Sequence, residues 1–277
     1  MKGQIVKIVS DLHYVKSDNS VYPCKCRGIM RHEHILPVVG DYVLFDAEKR
    51  VIDKIEERKN SFKRPKVSNI DQAFIITSLV VPDFSLNLLD KFIITMELNN
   101  VEPIIVITKR DLVGDMSLYD KELNYYKKIG YKVLFNTELD EIKKLLKGKV
   151  SVFTGQTGAG KSTLINRIDS SYDIEVGEVS MALGRGRHTT RETSMYELCG
   201  GLCIDTPGFS ALDLAEYSKE EIRDAFIEFK NYDCEYRNCM HKNTENCGVY
   251  EAVLDNNILK SRYINYLKFI GDDYNES

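Results

Sequence analysis

Residues 150–163 read Val-Ser-Val-Phe-Thr-Gly155-Gln156-Thr157-Gly158-Ala159-Gly160-Lys161-Ser162-Thr163. A strand-length apolar run ends in a glycine-rich turn, and residues 163–168 have helix-forming character. The turn matches G-x-x-x-x-G-K-[ST] without a mismatch. It lies between strand and helix, the context in which that motif holds phosphate. Its glycines let successive backbone N–H groups converge on phosphate oxygens, and the helix amino terminus adds a partial positive charge. Lys161 is expected to reach the β and γ phosphates, and the Ser162 hydroxyl to ligate Mg²⁺. The motif alone does not choose between ATP and GTP.

Upstream of this turn, strands and helices alternate. Residues 73–79 form a near-continuous apolar strand, as a parallel sheet buried on both faces requires. The spacing of Leu89, Phe92, Ile93 and Met96 predicts a helix over 86–98. Further strands are expected at 104–107 and 132–135, with helices at 118–129 and 138–146. This is the pattern of an α/β sheet with helices on both faces.

Thr108-Lys109-Arg110-Asp111 follows the strand at 104–107 and resembles the guanine-reading motif N-K-x-D. A carboxylate at the last position accepts hydrogen bonds from guanine N1–H and the exocyclic amine. Adenine offers neither, and leaving the carboxylate unpaired is costly. Lys109 is expected to lay its alkyl stem along the base. Thr108 stands where Asn is usual, which removes an amide that would tether the phosphate loop.

The order of these motifs is unusual. The base-reading loop precedes the phosphate loop, whereas ordinary GTPases place it long after. Asp205-Thr-Pro-Gly208 follows a strand at 202–204 and matches the D-x-x-G switch that senses γ-phosphate. Such a site gathers at the carboxyl ends of strands, so rejoining the chain elsewhere preserves it. The chain therefore reads as a circularly permuted GTPase. Between phosphate loop and switch lies Leu183-Gly-Arg-Gly-Arg-His188-Thr189-Thr190-Arg191, basic and glycine-interrupted. It is expected to be a mobile switch in which Thr189 or Thr190 ligates Mg²⁺. His188 either orients the attacking water or packs against protein or RNA phosphate. Phe209 replaces the Gln that many GTPases use to place water, which implies slow intrinsic hydrolysis.

Outward from this core, residues 1–67 read as about five short strands punctuated by turns, a pattern that fits an OB-fold barrel. They carry 14 Lys+Arg against 9 Asp+Glu, whereas the whole 277-residue chain has a net charge of −4. A basic front module on an acidic body points toward phosphate. At 43% hydrophobic and 29% charged, the composition excludes collagen, coiled-coil and disordered classes. No apolar run approaches the ~18 residues of a membrane span. Lys7 and Asp11 stand where a signal peptide would be apolar, so export is not expected.

Beyond Phe209, helices are expected at 219–229, 249–254 and 259–269. Cys234-x4-Cys239-x-His241-x5-Cys247 sits among them and offers three thiolates and one imidazole. That donor set fills a tetrahedral zinc site and leaves no position for water, so the metal is expected to be structural. A second set, Cys24, Cys26, His32 and His34, is explained more simply by strand burial and loop contacts. Cys199 and Cys203 bracket Gly200-Gly201 in an expected hairpin. Seven cysteines, an odd number, suit a reducing cytoplasm.

Together these residues resemble the RsgA (YjeQ/YloQ) family of ribosome small-subunit-dependent GTPases. The resemblance runs from Pro37-x-x-Gly40-Asp41 through Thr108–Asp111, Gly155–Thr163, Gly186–Thr190 and Asp205–Phe209 to Cys234, Cys239, His241 and Cys247. It implies an OB-fold over 1–67, a permuted GTPase over 68–218 and a helical zinc domain over 219–277. It also implies GTP hydrolysis stimulated by the small ribosomal subunit, with contacts to its rRNA, by a monomeric cytoplasmic protein. Two rivals are an RNA-assembly factor using GTP only as a conformational ligand, and an ATP-dependent P-loop enzyme, which Asp111 disfavours.

Overall fold

The computed structural model describes residues 1–28, 36–171, 193–205, 213–242 and 245–272. The amino-terminal strands are β1 (Lys2–Val9), β2 (Leu12–Ser17), β3 (Ser20–Cys26), β4 (Tyr42–Asp46) and β5 (Val51–Ile55). They pair in the order β1-β2-β3-β5-β4, and β4 returns to β1, so the sheet closes into a barrel. Only β3 and β5 run parallel. Ile5, Val15, Cys24, Val43, Phe45 and Ile52 fill the interior. The count agrees with the about five short strands expected; β2 carries the weakest pattern because two of its three buried positions are His13 and Ser17. A polar inward residue hides the alternation that marks a strand.

The barrel is seated on the next unit through the Pro37-x-x-Gly40-Asp41 turn. Asp41 is buried and accepts from Val38 N (2.8 Å), Arg58 Nε (2.7 Å) and Ser68 Oγ (2.6 Å). Gly40 has φ +100°, and a Cβ there would lie 2.0 Å from the Ser68 carbonyl oxygen. No side chain fits that approach. A short hairpin, β6 (Ser61–Lys63) and β7 (Lys66–Ser68), completes the joint.

The α/β part of the sheet, continuous with the barrel through a β12–β1 pairing, holds β8 (Gln72–Ser78), β9 (Glu102–Thr108), β10 (Lys132–Phe135), β11 (Val150–Gly155), β12 (Ser194–Leu198) and β13 (Gly201–Asp205). Its order is β10-β9-β8-β11-β13-β12, with all neighbours parallel except the β12–β13 hairpin. Side chains alternate between two cores. Ala73, Ile75, Ile105 and Ile107 face α1 (Leu86–Leu98) and α2 (Ser117–Lys128). Phe74, Ile76, Ile104 and Val106 face α3 (Leu139–Leu146) and α4 (Lys161–Ile168). Both faces of the central strands are thus covered, which explains their unbroken apolar sequence.

The carboxyl-terminal unit comprises α5 (Lys219–Ala225), a 3₁₀ turn (Ile227–Asn231), α6 (Gly248–Leu254) and α7 (Lys260–Phe269). The single helix expected over 219–229 breaks at Phe226, and the tighter turn aims Glu228 inward. Arg262 of α7 is fully buried and donates to Asp90 Oδ1 of α1 (2.6 Å) and to both carboxylate oxygens of Glu228. Tyr126 and Asn265 donate to Asp90 at 2.6 and 2.7 Å. This network fastens the helical unit to the α/β unit. Burial still pushes the Asp90 carboxyl up despite its guanidinium partner.

No described helix is long and apolar enough to cross a membrane. Removing one partner of a buried ion network strands the others. We expect Arg262→Met to lower stability by about 3–5 kcal/mol in urea unfolding. Adding Asp90→Asn and Glu228→Gln should recover part of that loss, because no buried charge then lacks a partner.

Candidate functional site

The phosphate turn leaves β11 at Gly155, whose φ is +134° and whose absent Cβ would sit 2.1 Å from the Ile76 carbonyl oxygen. Glycine lets β11 and β8 approach closely at the very point where the turn begins. Gly158 and Gly160 also have positive φ, +78° and +100°. Lys161 opens α4 and Ser162 lies in its first turn, both buried. Lys161 Nζ donates to the carbonyls of Gly155 (2.8 Å) and Gln156 (2.9 Å). Burial holds its ammonium below the usual lysine range. Ala159 is buried, whereas Thr157, Gly158 and Thr163 face solvent.

The base-reading loop follows β9 and meets this turn directly. Thr108 is buried, and its hydroxyl donates to the Ala159 carbonyl at 2.6 Å. Lys109 takes a left-handed conformation, φ +58°, and its ammonium donates to the carbonyls of Gly158 (2.9 Å) and Val81. The sequence reading expected the tether to be lost with Asn. The structure corrects this: a hydroxyl supplies the same donor from a shorter side chain because the two loops lie close together. Asp111 is exposed in the 3₁₀ turn Arg110–Leu112. Arg110 stacks its guanidinium 4.7 Å above the Phe135 ring, which anchors that turn. Asn136 follows alongside, its N–H donating to the Ile107 carbonyl at 2.9 Å.

Sequence reasoning missed Val81, Phe135 and Ser78. Ser78 Oγ accepts from the N–H groups of Val80 and Val81 at 3.3 and 3.2 Å, shaping the turn that presents the Val81 carbonyl. No motif marks such backbone acceptors. Asp205 ends β13, which runs parallel to β11 with Ile204 beside Val152, so the chain leaves the sheet at the same edge. His188, Thr189, Thr190 and Gly208 lie outside the described residues, as do His32 and His34.

A second site gathers Cys234, Cys239, His241 and Cys247, whose donor atoms all lie within 4.8 Å of one another. Cys234 and Cys247 Sγ are 3.8 Å apart, and His241 Nδ1 is 3.4 and 3.5 Å from them. Tetrahedral zinc with bonds of about 2.3 Å to sulfur and 2.0–2.1 Å to nitrogen needs separations of about 3.8 and 3.6 Å. The donors fit one such ion. Arg223 and Tyr266 hold the carbonyls of Cys239 (3.3 Å) and Met240 (2.6 Å), and Tyr263 holds that of His241 (2.5 Å). Burial pushes the Cys247 thiol up to about 12 and the His241 imidazole down to about 4. The neutral imidazole keeps its lone pair, and a divalent cation would supply the charge that draws the thiols to thiolates. Elsewhere Cys24 is buried in the barrel, and Cys26 Sγ lies 3.7 Å from His13 Nδ1. Cys203 is buried, and Cys199-Gly200 forms the tip of the β12–β13 hairpin.

The hydroxyl of Thr108 makes a specific forecast. Thr108→Val keeps the shape but strands the buried Ala159 carbonyl, and we expect nucleotide affinity to fall about tenfold. Thr108→Ser should retain most of it. Equilibrium binding of a fluorescent nucleotide analogue measures both.

Known proteins share this arrangement over nearly the whole chain. The sequence profile of the RsgA GTPase matches residues 55–215, and that of the RsgA N-terminal domain matches residues 2–51. The small ribosomal subunit biogenesis GTPase RsgA of Streptococcus pneumoniae is 46% identical, covering 98% of this chain and 94% of the relative. RsgA 2 of Oceanobacillus iheyensis is 44% identical, covering 97% and 96%. The crystal structure of YloQ, a circularly permuted GTPase, superposes with a TM-score of 0.82 at 34% identity, covering 98% of this chain and 93% of that one. YjeQ from Thermotoga maritima gives 0.84 at 31%, covering 98% and 97%. With its phosphate and base loops joined in permuted order on one sheet edge, the chain belongs to the RsgA family of circularly permuted GTPases.

Proposed function

We propose that this GTPase acts on the small ribosomal subunit during its late maturation, and that the subunit stimulates its hydrolysis of GTP. The observation that carries the nucleotide half is the direct hydrogen bond between base loop and phosphate loop, Thr108 to Ala159. The ribosomal half is supported by the names of the full-length relatives and by the basic surplus of residues 1–67. The working division is an RNA-facing barrel over 1–67, a GTPase over 68–218 and a zinc domain over 219–277, in a monomeric cytoplasmic protein.

Within the site, Asp111 reads guanine while Lys109 braces the base loop against the phosphate loop and Arg110 holds the turn. The backbone of Gly155–Gly160 and the ammonium of Lys161 hold the phosphates, with Thr163 in the first turn of the same helix. Ser162, with Thr189 or Thr190, would hold Mg²⁺, which neutralises charge on the β and γ oxygens when bound. Asp205 and Gly208 sense the γ-phosphate. His188 orients the water that attacks phosphorus, and with Phe209 in place of Gln the intrinsic rate is slow until the subunit completes the site.

Phosphate release from GTP, measured with and without purified small subunits, tests this reading. We expect stimulation of about tenfold or more, with no competition by ATP. An unchanged rate would favour an assembly factor that uses GTP only as a conformational ligand.

The second site should bind close to one equivalent of zinc per chain by elemental analysis. Chelation, or Cys247→Ala, should unfold residues 219–277 selectively, because zinc binding of about 10–16 kcal/mol exceeds what a small module draws from its own core.

A further inference from the structure

Strand β1 changes partner partway along its length. Lys2, Gly3 and Gln4 face Leu44, Val43 and Tyr42 of β4 and close the barrel. The register against β2 then slips between Ile5 and Lys7, leaving a bulge at Val6. A bulge bends its strand and increases the local twist. Beyond it, the edge of β1 that had served β4 meets β12, with Lys7 opposite Ser194. Lys16 of β2 forms an ion pair with Glu197 of β12 across the same seam. Ile8 packs against both the barrel core and the α/β core.

Ser194 is paired on its other side with Asp205 across the β12–β13 hairpin. One residue therefore stands between the barrel and the first residue of the D-x-x-G segment. In sequence it also lies only four residues beyond Thr190. Among the described residues, the barrel meets the α/β unit at the Asp41 joint and at the β1–β12 seam. The joint at Asp41 is deeply hydrogen-bonded, with Arg58 and Ser68 on one carboxylate. The seam at Lys7 rests on a short strand pairing, the Lys16–Glu197 ion pair at its rim and the packing of Ile8, so it opens at the lower free-energy cost.

We propose that the β1–β12 seam passes the nucleotide state to the barrel: γ-phosphate closes it, and loss of γ-phosphate loosens it. Contacts from Thr189 or Thr190 and from Gly208 to the nucleotide would fix both ends of the β12–β13 hairpin. Fixing them removes part of the entropy that pairing Ser194 with Lys7 otherwise costs. This inference rests on the assignment of those residues to γ-phosphate sensing.

Amide hydrogen exchange of the full-length protein tests it, with GDP and with a non-hydrolysable GTP analogue, nucleotide occupancy being measured in parallel. Peptides covering residues 5–9 and 193–198 should exchange about tenfold more slowly with the analogue. Peptides from β3, on the far side of the barrel, should not change. Glu197→Lys sets like charges across the seam at an exposed position and should abolish the difference. Lys16→Glu combined with Glu197→Lys should restore it. Equal exchange in two fully occupied states would overturn the seam coupling while leaving the GTPase assignment intact. A difference that survives Glu197→Lys unaltered would overturn it equally. Failure to bind either nucleotide would overturn the site assignment and the coupling together.

Discussion

The hydrogen bond from Thr108 to the Ala159 carbonyl joins two loops that lie 51 residues apart in sequence. Both loops leave carboxyl ends of parallel strands, and the proposed nucleotide site is the place where those ends meet. Lys109 extends the same junction to Gly158 and Val81, so three loops from β8, β9 and β11 share one set of short polar contacts. The Thr108 contact satisfies a buried backbone carbonyl, while the two Lys109 contacts lie at the exposed rim of the junction. The geometry needs the three loops adjacent in space, and it is indifferent to their order along the chain. That is the physical reason a permuted chain retains a GTPase site.

Permutation has a consequence at the other end of the molecule. The strand that begins the α/β unit follows the barrel through the β6–β7 hairpin, and residues 206–218 lead from the strand that ends at Asp205 to the helical unit. Each neighbour is then fastened by a buried polar cluster rather than by apolar packing alone. At the barrel side the cluster centres on Asp41; at the helical side it centres on Arg262. A buried ion cluster adds little net stability over an apolar core, but it tolerates few alternative arrangements.

The helical unit extends this principle to its Cys₃His cluster. Arg262 and Tyr263 are neighbours on α7: one reaches Asp90 of α1, the other holds the His241 carbonyl. The same helix thus supports the Cys₃His donors and ties them to the α/β core. The unit is braced by the Cys₃His cluster on one side and a buried ion network on the other.

Local motifs were legible in the sequence because their chemistry is local. Gly155–Ser162 needs only successive backbone N–H groups and one lysine, and Cys234–Cys247 needs only four donors within one loop. The alternating apolar strands announced the α/β sheet for the same reason: burial on both faces leaves a mark on every residue. Three things were not legible. Strand β2 hides its pattern because His13 and Ser17 face inward. Asp90, Glu228 and Arg262 look like solvated surface charges until three distant segments bring them together. Thr108 looked like a lost tether because its partner is a backbone carbonyl, which every residue carries and no sequence distinguishes. The sequence by itself determined the chemistry of each loop and the unbroken apolar runs of the central strands. Only the tertiary structure decided which carbonyl faces which hydroxyl and which charge is buried, because those depend on distances between segments that are remote in the chain.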